Sequence, residues 1–390
     1  MKKLNVGLIG AGFMGKAHVV GYSNFPKFFW PVEAVPVLKT VFDVNPEIGK
    51  EAVARFGFEK STADWRDIIN DSDIDVISIC TPNDTHAEMA IAALKAGKHV
   101  LCEKPMSNSF EDAQAMAEAA EEAAKKGIIA MCAYQYRRVP AIALAKKFID
   151  EGAIGKILDV RAQYLQSWSA DPNSPLSWRF QKSIAGAGTL GDIATHVIDM
   201  SQYLAGDITE VVSTVSTYVN ERPIQEGGVD LLGTVKLSGD VKKAPVDVDD
   251  QTSFMVNFAS GAKGSIEATR NAWGRHNFIT LEIHGTKGSI AFNYERLNEL
   301  DVCFADDADD RRGFKTIHTG PAHFYGEVTW NIPGMNIGYG ELKTIEIHDF
   351  IKAVVEGKQP STDFAQSFKV EKVVNAVAKS NETKSWQPVL

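Results

Sequence analysis

The sequence predicts an α/β protein: a doubly wound parallel sheet in its first third, followed by an α+β unit. Three observations carry this. Unbroken apolar strands alternate with helices through about residue 133, the pattern of a sheet covered on both faces. A Gly-x-Gly-x-x-Gly turn, Gly10-Ala11-Gly12-Phe13-Met14-Gly15, stands between the first strand and the first helix. Beyond Gly152 and Gly155 the pattern changes to β-rich segments separated by Gly-containing turns. A length of 390 residues suits two domains, placed at 1–135 and 136–390.

In order, the first third reads as strand Leu4–Ile9, a helix through Lys16–Tyr22, and an aromatic, Pro-rich insertion Asn24–Ala34. Strand Pro36–Phe42 and helix Pro46–Phe58 follow, then strand Asp75–Cys80 and the Ala-rich helix Thr85–Ala96, which Gly97 ends. Strand His99–Cys102, helix Ser107–Lys126 and strand Ile128–Ala133 close the alternation. The second part reads as helix Pro140–Asp150, then strands Lys156–Trp168, Ile208–Val219, Gln251–Phe258, Lys263–Thr269, Ile279–His284 and Gly288–Asn293. Two late helices, about Leu342–Glu356 and Ala365–Ser380, complete it, and Asp306–Arg312 reads as a solvated loop.

Composition narrows the function. The formal charge of −9 argues against a nucleic-acid partner, which requires a basic face. No apolar run approaches the ~18 residues of a membrane span. The four cysteines, Cys80, Cys102, Cys132 and Cys303, are scattered and form no C-x-x-C pair. Reduced, buried thiols and a cytoplasmic location are expected. Lys2 and Lys3 before an apolar stretch imitate a secretory leader, but Gly7, Gly10, Gly12 and Gly15 interrupt it.

Those glycines mark a dinucleotide site. Gly10 permits the tight turn, Gly12 lets backbone approach a pyrophosphate, and Gly15 lets helix pack on strand. The helix N-terminus beyond them offers N–H groups to phosphates. Asp43, ending the second strand, can accept from the adenosine ribose and repel a 2′-phosphate, so NAD is preferred to NADP. It lies farther along than the usual ~20 residues, an excess that the insertion explains.

Ligands in such sheets bind beyond the carboxyl ends of the strands. Two strand-end loops stand out there: Thr81-Pro82-Asn83-Asp84-Thr85-His86 and Glu103-Lys104-Pro105. An ammonium at such a mouth can stabilise an alkoxide or donate a proton, and crowding lowers its pKa. In the second part, Asp192 and His196 are four apart, which on a helix gives one face, and Asp199 shares roughly that face, where it could orient the imidazole. Imidazole suits removal of a hydroxyl proton near neutrality. With His86, His99 and His276 outside any cluster, a metal is not expected.

Together, Gly10–Gly15, Thr81-Pro82-Asn83 with His86, Glu103-Lys104-Pro105, Trp178-Arg179 and Gly186-Ala187-Gly188-Thr189-Leu190-Gly191-Asp192…His196 resemble the Gfo/Idh/MocA family of NAD(P)-dependent sugar and cyclitol oxidoreductases. The segment Tyr164–Trp178 and the motif Phe28-Phe29-Trp30-Pro31 resemble its pyranoside-oxidising members. The resemblance implies a Rossmann domain, then a domain with an open, mostly antiparallel sheet, and a homotetramer or dimer. It implies Lys104, Asp192 and His196 as the catalytic set. Gly10, Gly12, Phe13, Met14, Gly15, Asp43, Thr81, Pro82, Asn83, His86, Glu103, Lys104, Gln135, Trp178 and Arg179 are expected at the cofactor. Lys104, Tyr136, Gln166, Asp192, His196 and Tyr339 are expected at a sugar or polyol substrate. One departure is Ala187, where the family often has glycine.

The resulting expectation is reversible oxidation of a secondary hydroxyl, at C3 of a pyranoside or anhydro sugar. Two rivals are an inositol 2-dehydrogenase and a non-catalytic NAD-sensing regulator.

Overall fold

Five largely apolar strands and one short polar edge strand form the central sheet of the first unit in the structure, a computed structural model that describes residues 2–224 and 241–390. This unit comprises Met1–Gln135 together with Ile337–Phe368. Its elements are β1 (Lys2–Ile9), α1 (Phe13–Phe28), β2 (Ala34–Phe42), α2 (Pro46–Phe56), β3 (Lys60–Thr62), α3 (Trp65–Asn70), β4 (Val76–Ile79), α4 (His86–Lys95), β5 (His99–Cys102), α5 (Phe110–Ala124) and β6 (Ala130–Cys132). The strand order is β3-β2-β1-β4-β5-β6, all parallel. The order reverses between β1 and β4, and at that switch point an open sheet leaves a crevice for ligand.

Local chemistry sets most of the boundaries. Asn45 caps α2 by accepting from Glu47 N, with Pro46 at its first position. Gly57, at φ +81°, ends that helix two residues before the expected Phe58. Ser109 caps α5 by accepting from Asp112 N. The insertion expected at 24–34 is smaller, because α1 continues through Pro26 to Phe28. Phe25 is buried, and Phe29 stacks on His348 with centroids 3.9 Å apart. That burial offsets the backbone hydrogen bond Pro26 cannot donate.

A correction concerns residues 337–368, assigned by the sequence to the later domain. The helix Tyr339–Glu356 packs along α1, and Gly21 is the reason it fits. A Cβ there would lie 2.6 Å from Ile347 Cγ1 and 2.8 Å from the Lys343 carbonyl oxygen. The helix buries Ile347, Phe350 and Ile351 in a core shared with Leu4, Tyr22 and Val76.

The second unit comprises Tyr136–Asn336 and Lys369–Leu390. It contains β7 (Ile157–Leu165), β8 (Ile208–Ser216), β9 (Glu221–Pro223), β10 (Lys243–Pro245), β11 (Gln251–Phe258), β12 (Lys263–Thr269), β13 (Phe278–Gly285), β14 (Gly288–Asn293), β15 (Glu299–Phe304), β16 (Lys315–His318) and β17 (Gln387–Pro388). A nine-stranded sheet runs β16-β15-β14-β13-β7-β12-β11-β8-β17. Only β7 and β12 pair parallel within it; the other neighbours are antiparallel. Val160, Ala162 and Tyr164 of β7 are buried on the face that the helix Thr195–Ala205 covers. Arg161 and Gln163 face the other way, onto a groove of about 800 Å³ that Met255, Glu267 and Thr280 also line. The Asp306–Arg312 segment is an exposed loop between β15 and β16, with one short turn at Asp309–Arg311.

Candidate active site

In the first unit the glycines of the turn after β1 are required by contact. Gly10 has φ +93°, and a Cβ on Gly15 would lie 2.2 Å from the Gly10 carbonyl oxygen. Helix α1 then begins at Phe13 with no side-chain cap and no acidic residue in its first turn. That leaves a helix N-terminus of positive potential for a pyrophosphate, so the turn fits a dinucleotide. Asp43 reaches back to it: Oδ2 accepts from Ala11 N at 2.9 Å, while Oδ1 accepts from Asn45 N at 3.0 Å. Each oxygen keeps a lone pair for a ribose hydroxyl. Phe13 and Met14 meet Tyr339, whose ring lies 6.0 Å from that of Phe13 and whose hydroxyl lies 3.6 Å from Met14 Sδ. Tyr339, expected at the substrate, is thus placed beside the dinucleotide turn.

The two strand-end loops are joined by His86. Its side chain is fully buried, with Nδ1 3.0 Å from the Pro105 carbonyl oxygen and Nε2 2.9 Å from that of Thr81. Burial lowers the imidazole pKa against the pull of these carbonyls. The His86 ring thus bridges the backbone of the Thr81–Asn83 loop and that of the Lys104–Pro105 loop. Thr85 Oγ1 donates to Thr81 Oγ1 at 2.7 Å and braces the first of these loops. Asn83 is buried at the start of the short turn that leads into α4.

Glu103 lies inside the first unit. Its carboxylate is buried, accepting from Lys343 Nζ at 2.8 Å and pairing with His18 Nε2 at 2.9 Å through Oε1. Oε2 accepts from the Lys104 backbone N–H at 3.3 Å. Burial alone would raise the carboxyl pKa, but Lys343 and His18 outweigh it and hold the group far below the usual range. Gln135 is also buried, at the end of this unit.

The second unit gathers a polar, aromatic cluster. His196 is buried near the start of the helix Thr195–Ala205, its ring 4.6 Å from that of Tyr136 and 5.9 Å from that of Tyr164. Tyr164 donates to Asn277 Oδ1 at 2.6 Å, and Gln166 Nε2 reaches both Tyr164 Oη at 3.1 Å and Asn277 Oδ1 at 3.0 Å. Trp168 Nε1 donates to Gln166 Oε1 at 2.9 Å. The chain of bonds fixes the Gln166 amide with both N–H groups engaged, leaving Oε1 its second lone pair.

Asp192 lies on a π-helical turn, Leu190–Ala194, that feeds directly into the α-helix bearing His196. An uninterrupted α-helix was expected, and widened turns of this kind are frequent at functional sites. The half-buried Asp192 carboxylate pairs with Arg270 Nη1 at 3.3 Å. Arg270 is fully buried, its guanidinium 5.1 Å from the Trp168 ring and 5.3 Å from the Phe180 ring. Trp178 and Arg179, expected at the cofactor, belong to this unit; the guanidinium lies 4.2 Å from its neighbour's ring. Burial lowers the Arg179 pKa, while the charge of Asp192 raises it.

The turn before Asp192 is held by Asp249, which accepts from Gly188 N at 2.7 Å and Leu190 N at 2.8 Å. Gly188 is required because a Cβ would sit 1.9 Å from the Asp249 carbonyl oxygen, and Gly186 has φ +78°. Neither constraint falls on Ala187, so alanine is accommodated there. Asp199 gives both carboxylate oxygens to Arg137, with Arg137 Nε donating at 2.8 Å. It therefore serves that ion pair and not, as the sequence suggested, the imidazole.

Sequence reasoning missed His18, Lys343, Asp249, Arg270 and Asn277. Their partners lie far along the chain, and the one local signal was the Asp249-Asp250 pair beside apolar Val246 and Val248.

Comparison with known proteins decides the family. The oxidoreductase family with an NAD-binding Rossmann fold matches residues 4–131, and the GFO/IDH/MocA C-terminal domain matches residues 142–291. The chain belongs to the GFO/IDH/MocA oxidoreductase family. Levoglucosan dehydrogenase of Pseudarthrobacter phenanthrenivorans is 59% identical over 389 residues, 100% of this chain and 99% of that protein. The solved structure of levoglucosan dehydrogenase in complex with NADH and levoglucosan superposes with a TM-score of 0.93 at 57% identity, each chain covered 100%. The NAD+-dependent scyllo-inositol 2-dehydrogenase of Bacillus subtilis is 28% identical over 92% of this chain and 90% of its own. The GFO/IDH/MocA chain is therefore an oxidoreductase with an N-terminal Rossmann sheet and a mostly antiparallel second sheet. No described helix is long and apolar enough to cross a membrane.

Proposed function

We propose that the chain is an NAD-dependent dehydrogenase oxidising a secondary hydroxyl of levoglucosan or a related pyranoside, at C3, to the ketone. The observation that carries this is full-length similarity at 59% identity to levoglucosan dehydrogenase, together with the polar cluster around His196.

Gly10–Gly15, Asp43 and the Thr81–Asn83 loop would hold the dinucleotide. Bound NAD+ supplies the hydride acceptor. His196, helped by Asp192, takes the hydroxyl proton and returns it in the reverse direction, while the Lys104 ammonium polarises the oxygen. Asp192, fixed by Arg270, accepts from a substrate hydroxyl. Gln166 Oε1 accepts from another, and Tyr136 supports the sugar face. Trp178 and Arg179 border the Asp192 side. We place the enzyme in the cytoplasm as a homotetramer or dimer, a state that light scattering on the purified protein reads directly.

The test is NADH formation across a panel of levoglucosan, glucosides and inositols, with product regiochemistry by NMR. Turnover of levoglucosan to the 3-keto product is expected. Faster turnover of scyllo- or myo-inositol would move the assignment to the cyclitol dehydrogenases, and NADH binding without turnover of any polyol would favour a regulator. Lys104→Met should abolish turnover while NADH binds with unchanged Kd; near-normal turnover would remove Lys104 from the chemistry.

A further inference from the structure

The first unit buries a charged cluster that no step of the proposed reaction uses. Lys343 is fully buried on the helix Tyr339–Glu356, its ammonium 2.8 Å from Glu103 Oε1 and 2.8 Å from Glu346 Oε2. His18 on α1 pairs with the same Glu103 oxygen at 2.9 Å. Behind it, His18 Nδ1 lies 3.2 Å from Ser78 Oγ on β4, which lies 2.8 Å from Tyr22 Oη.

Directional logic orders this chain. Burial raises the Tyr22 pKa, so the phenol keeps its proton and donates to Ser78. Ser78 can then donate to His18 Nδ1, with His18 Nε2 donating to Glu103. The far oxygen of Glu103 accepts from the Lys104 N–H. Lys343 and His18 thus both hold Glu103 through Oε1, and Glu103 holds the backbone of Lys104 through Oε2.

Burying an ammonium and two carboxylates is costly unless the geometry satisfies them, and an apolar replacement is often neutral or stabilising. The arrangement therefore does something other than stabilise. We propose that Lys343 and His18 are positioning residues for the dehydrogenase site, fixing the Glu103–Lys104 loop so that the Lys104 ammonium is presented to substrate. The helix that supplies Lys343 also carries Tyr339 against Phe13 and Met14. One element therefore sets both the dinucleotide turn and the lysine loop. This inference rests on the reading of Lys104 as a catalytic residue.

The test compares full-length Lys343→Met/Glu346→Gln, His18→Phe and His18→Gln with Lys104→Met, using levoglucosan and NAD+. The double variant removes the ammonium with one of its two carboxylates, so no extra uncompensated charge is left. Its kcat should fall about 100-fold, the loss that a displacement of about 1 Å can cause, with the Kd for NADH unchanged. Its kcat–pH profile should gain a reversible acid limb, because Glu103 without Lys343 takes a proton at higher pH. His18→Phe should likewise lose kcat, and His18→Gln, whose amide can still donate to Glu103, should regain most of it. Should the double variant not fold, the His18 pair decides alone. Parental kcat and pH profile in the folded double variant, or equal kcat in His18→Phe and His18→Gln, would overturn the positioning role. Near-normal turnover by Lys104→Met would instead overturn the reading of Lys104 on which the inference rests.

Discussion

Replacing Asp249 by asparagine should loosen the turn that presents Asp192, and the size of the effect can be worked out. The carboxylate accepts from Gly188 N and Leu190 N at 2.7 and 2.8 Å, both bonds buried. Asparagine keeps one acceptor and points an N–H group at the other backbone N–H. The lost hydrogen bond to a charged acceptor is worth about 1.5–3 kcal/mol. Part of that returns, because burial raises the Asp249 carboxyl pKa in spite of Arg270 and the two backbone donors. The charged form thus carries a desolvation cost that the amide avoids. The balance is a loss of about 1–2 kcal/mol, or about 2–8 °C in Tm for a unit of this size.

The functional effect should exceed the thermal one. Leu190 opens the π-helical turn that carries Asp192, so a shift of a few tenths of an ångström there moves the carboxylate relative to His196. A drop in kcat/KM of about tenfold, or about 1.4 kcal/mol, is expected, with the Kd for NADH unchanged. Steady-state kinetics, NADH fluorescence titration and a thermal melt measure all three. An Asp249→Asn protein with parental Tm and parental kcat/KM would refute the clamp. Gly188→Ala provides an independent check: with a Cβ 1.9 Å from a backbone oxygen, it should be the more damaging change.

Further outcomes are expected elsewhere. Asp43→Ser removes the acceptor from Ala11 N and the negative charge at the ribose position; KM for NAD+ should rise about tenfold, and the NADP+/NAD+ preference should shift toward NADP+. An unchanged preference would mean that Asp43 does not select the cofactor. Gly15→Ala places a Cβ 2.2 Å from the Gly10 oxygen and should weaken NADH binding more than it lowers Tm, as calorimetry would show. Glu103 has a depressed folded pKa, so its contribution to stability is present above the ordinary carboxyl value of 4.5 and is lost as pH falls toward the folded one. Lys343 is the mirror case. Burial would lower its pKa, but Glu103 and Glu346 raise it, so its contribution is lost only as pH rises through the folded value. Glu103→Gln should therefore flatten the acid limb of a Tm–pH profile, and an identical slope in both proteins would contradict the assignment.

The parts of the site legible in the sequence are those whose cause is local. Gly10, Gly15 and Asp43 are required by the backbone of one turn and by the end of the strand beside it, so residue type and position reveal them. The Asp192–His196 spacing revealed a shared helix but not the π turn, which depends on Asp249 reaching the turn from 59 residues away. Strands β15 and β16 escaped notice because they lie at the sheet's edge and alternate charge with apolar residues, as in Glu299-Leu300-Asp301-Val302. The position of Tyr339 beside the dinucleotide turn was not legible, because the packing of its helix on α1 depends on Gly21, more than 300 residues earlier, which carries no signal of its own.

The deepest omission was charge in the interior. Pattern reading sends a lysine three residues before a glutamate on a helix to the solvent, as an ordinary i,i+3 pair. Lys343 and Glu346 have that spacing, yet both are buried, because their third partner, Glu103, is 240 residues away in sequence. Such a cluster gains little stability over an apolar packing of the same volume. What it gains is direction: an ammonium fixed between two carboxylates holds a strand-end loop in one place, which an apolar contact, indifferent to rotation, would not do. The same reasoning applies to Arg270 beneath Asp192 and to Asp249 beneath Gly188. In each case a buried charge holds a residue expected to act or the backbone turn that carries it.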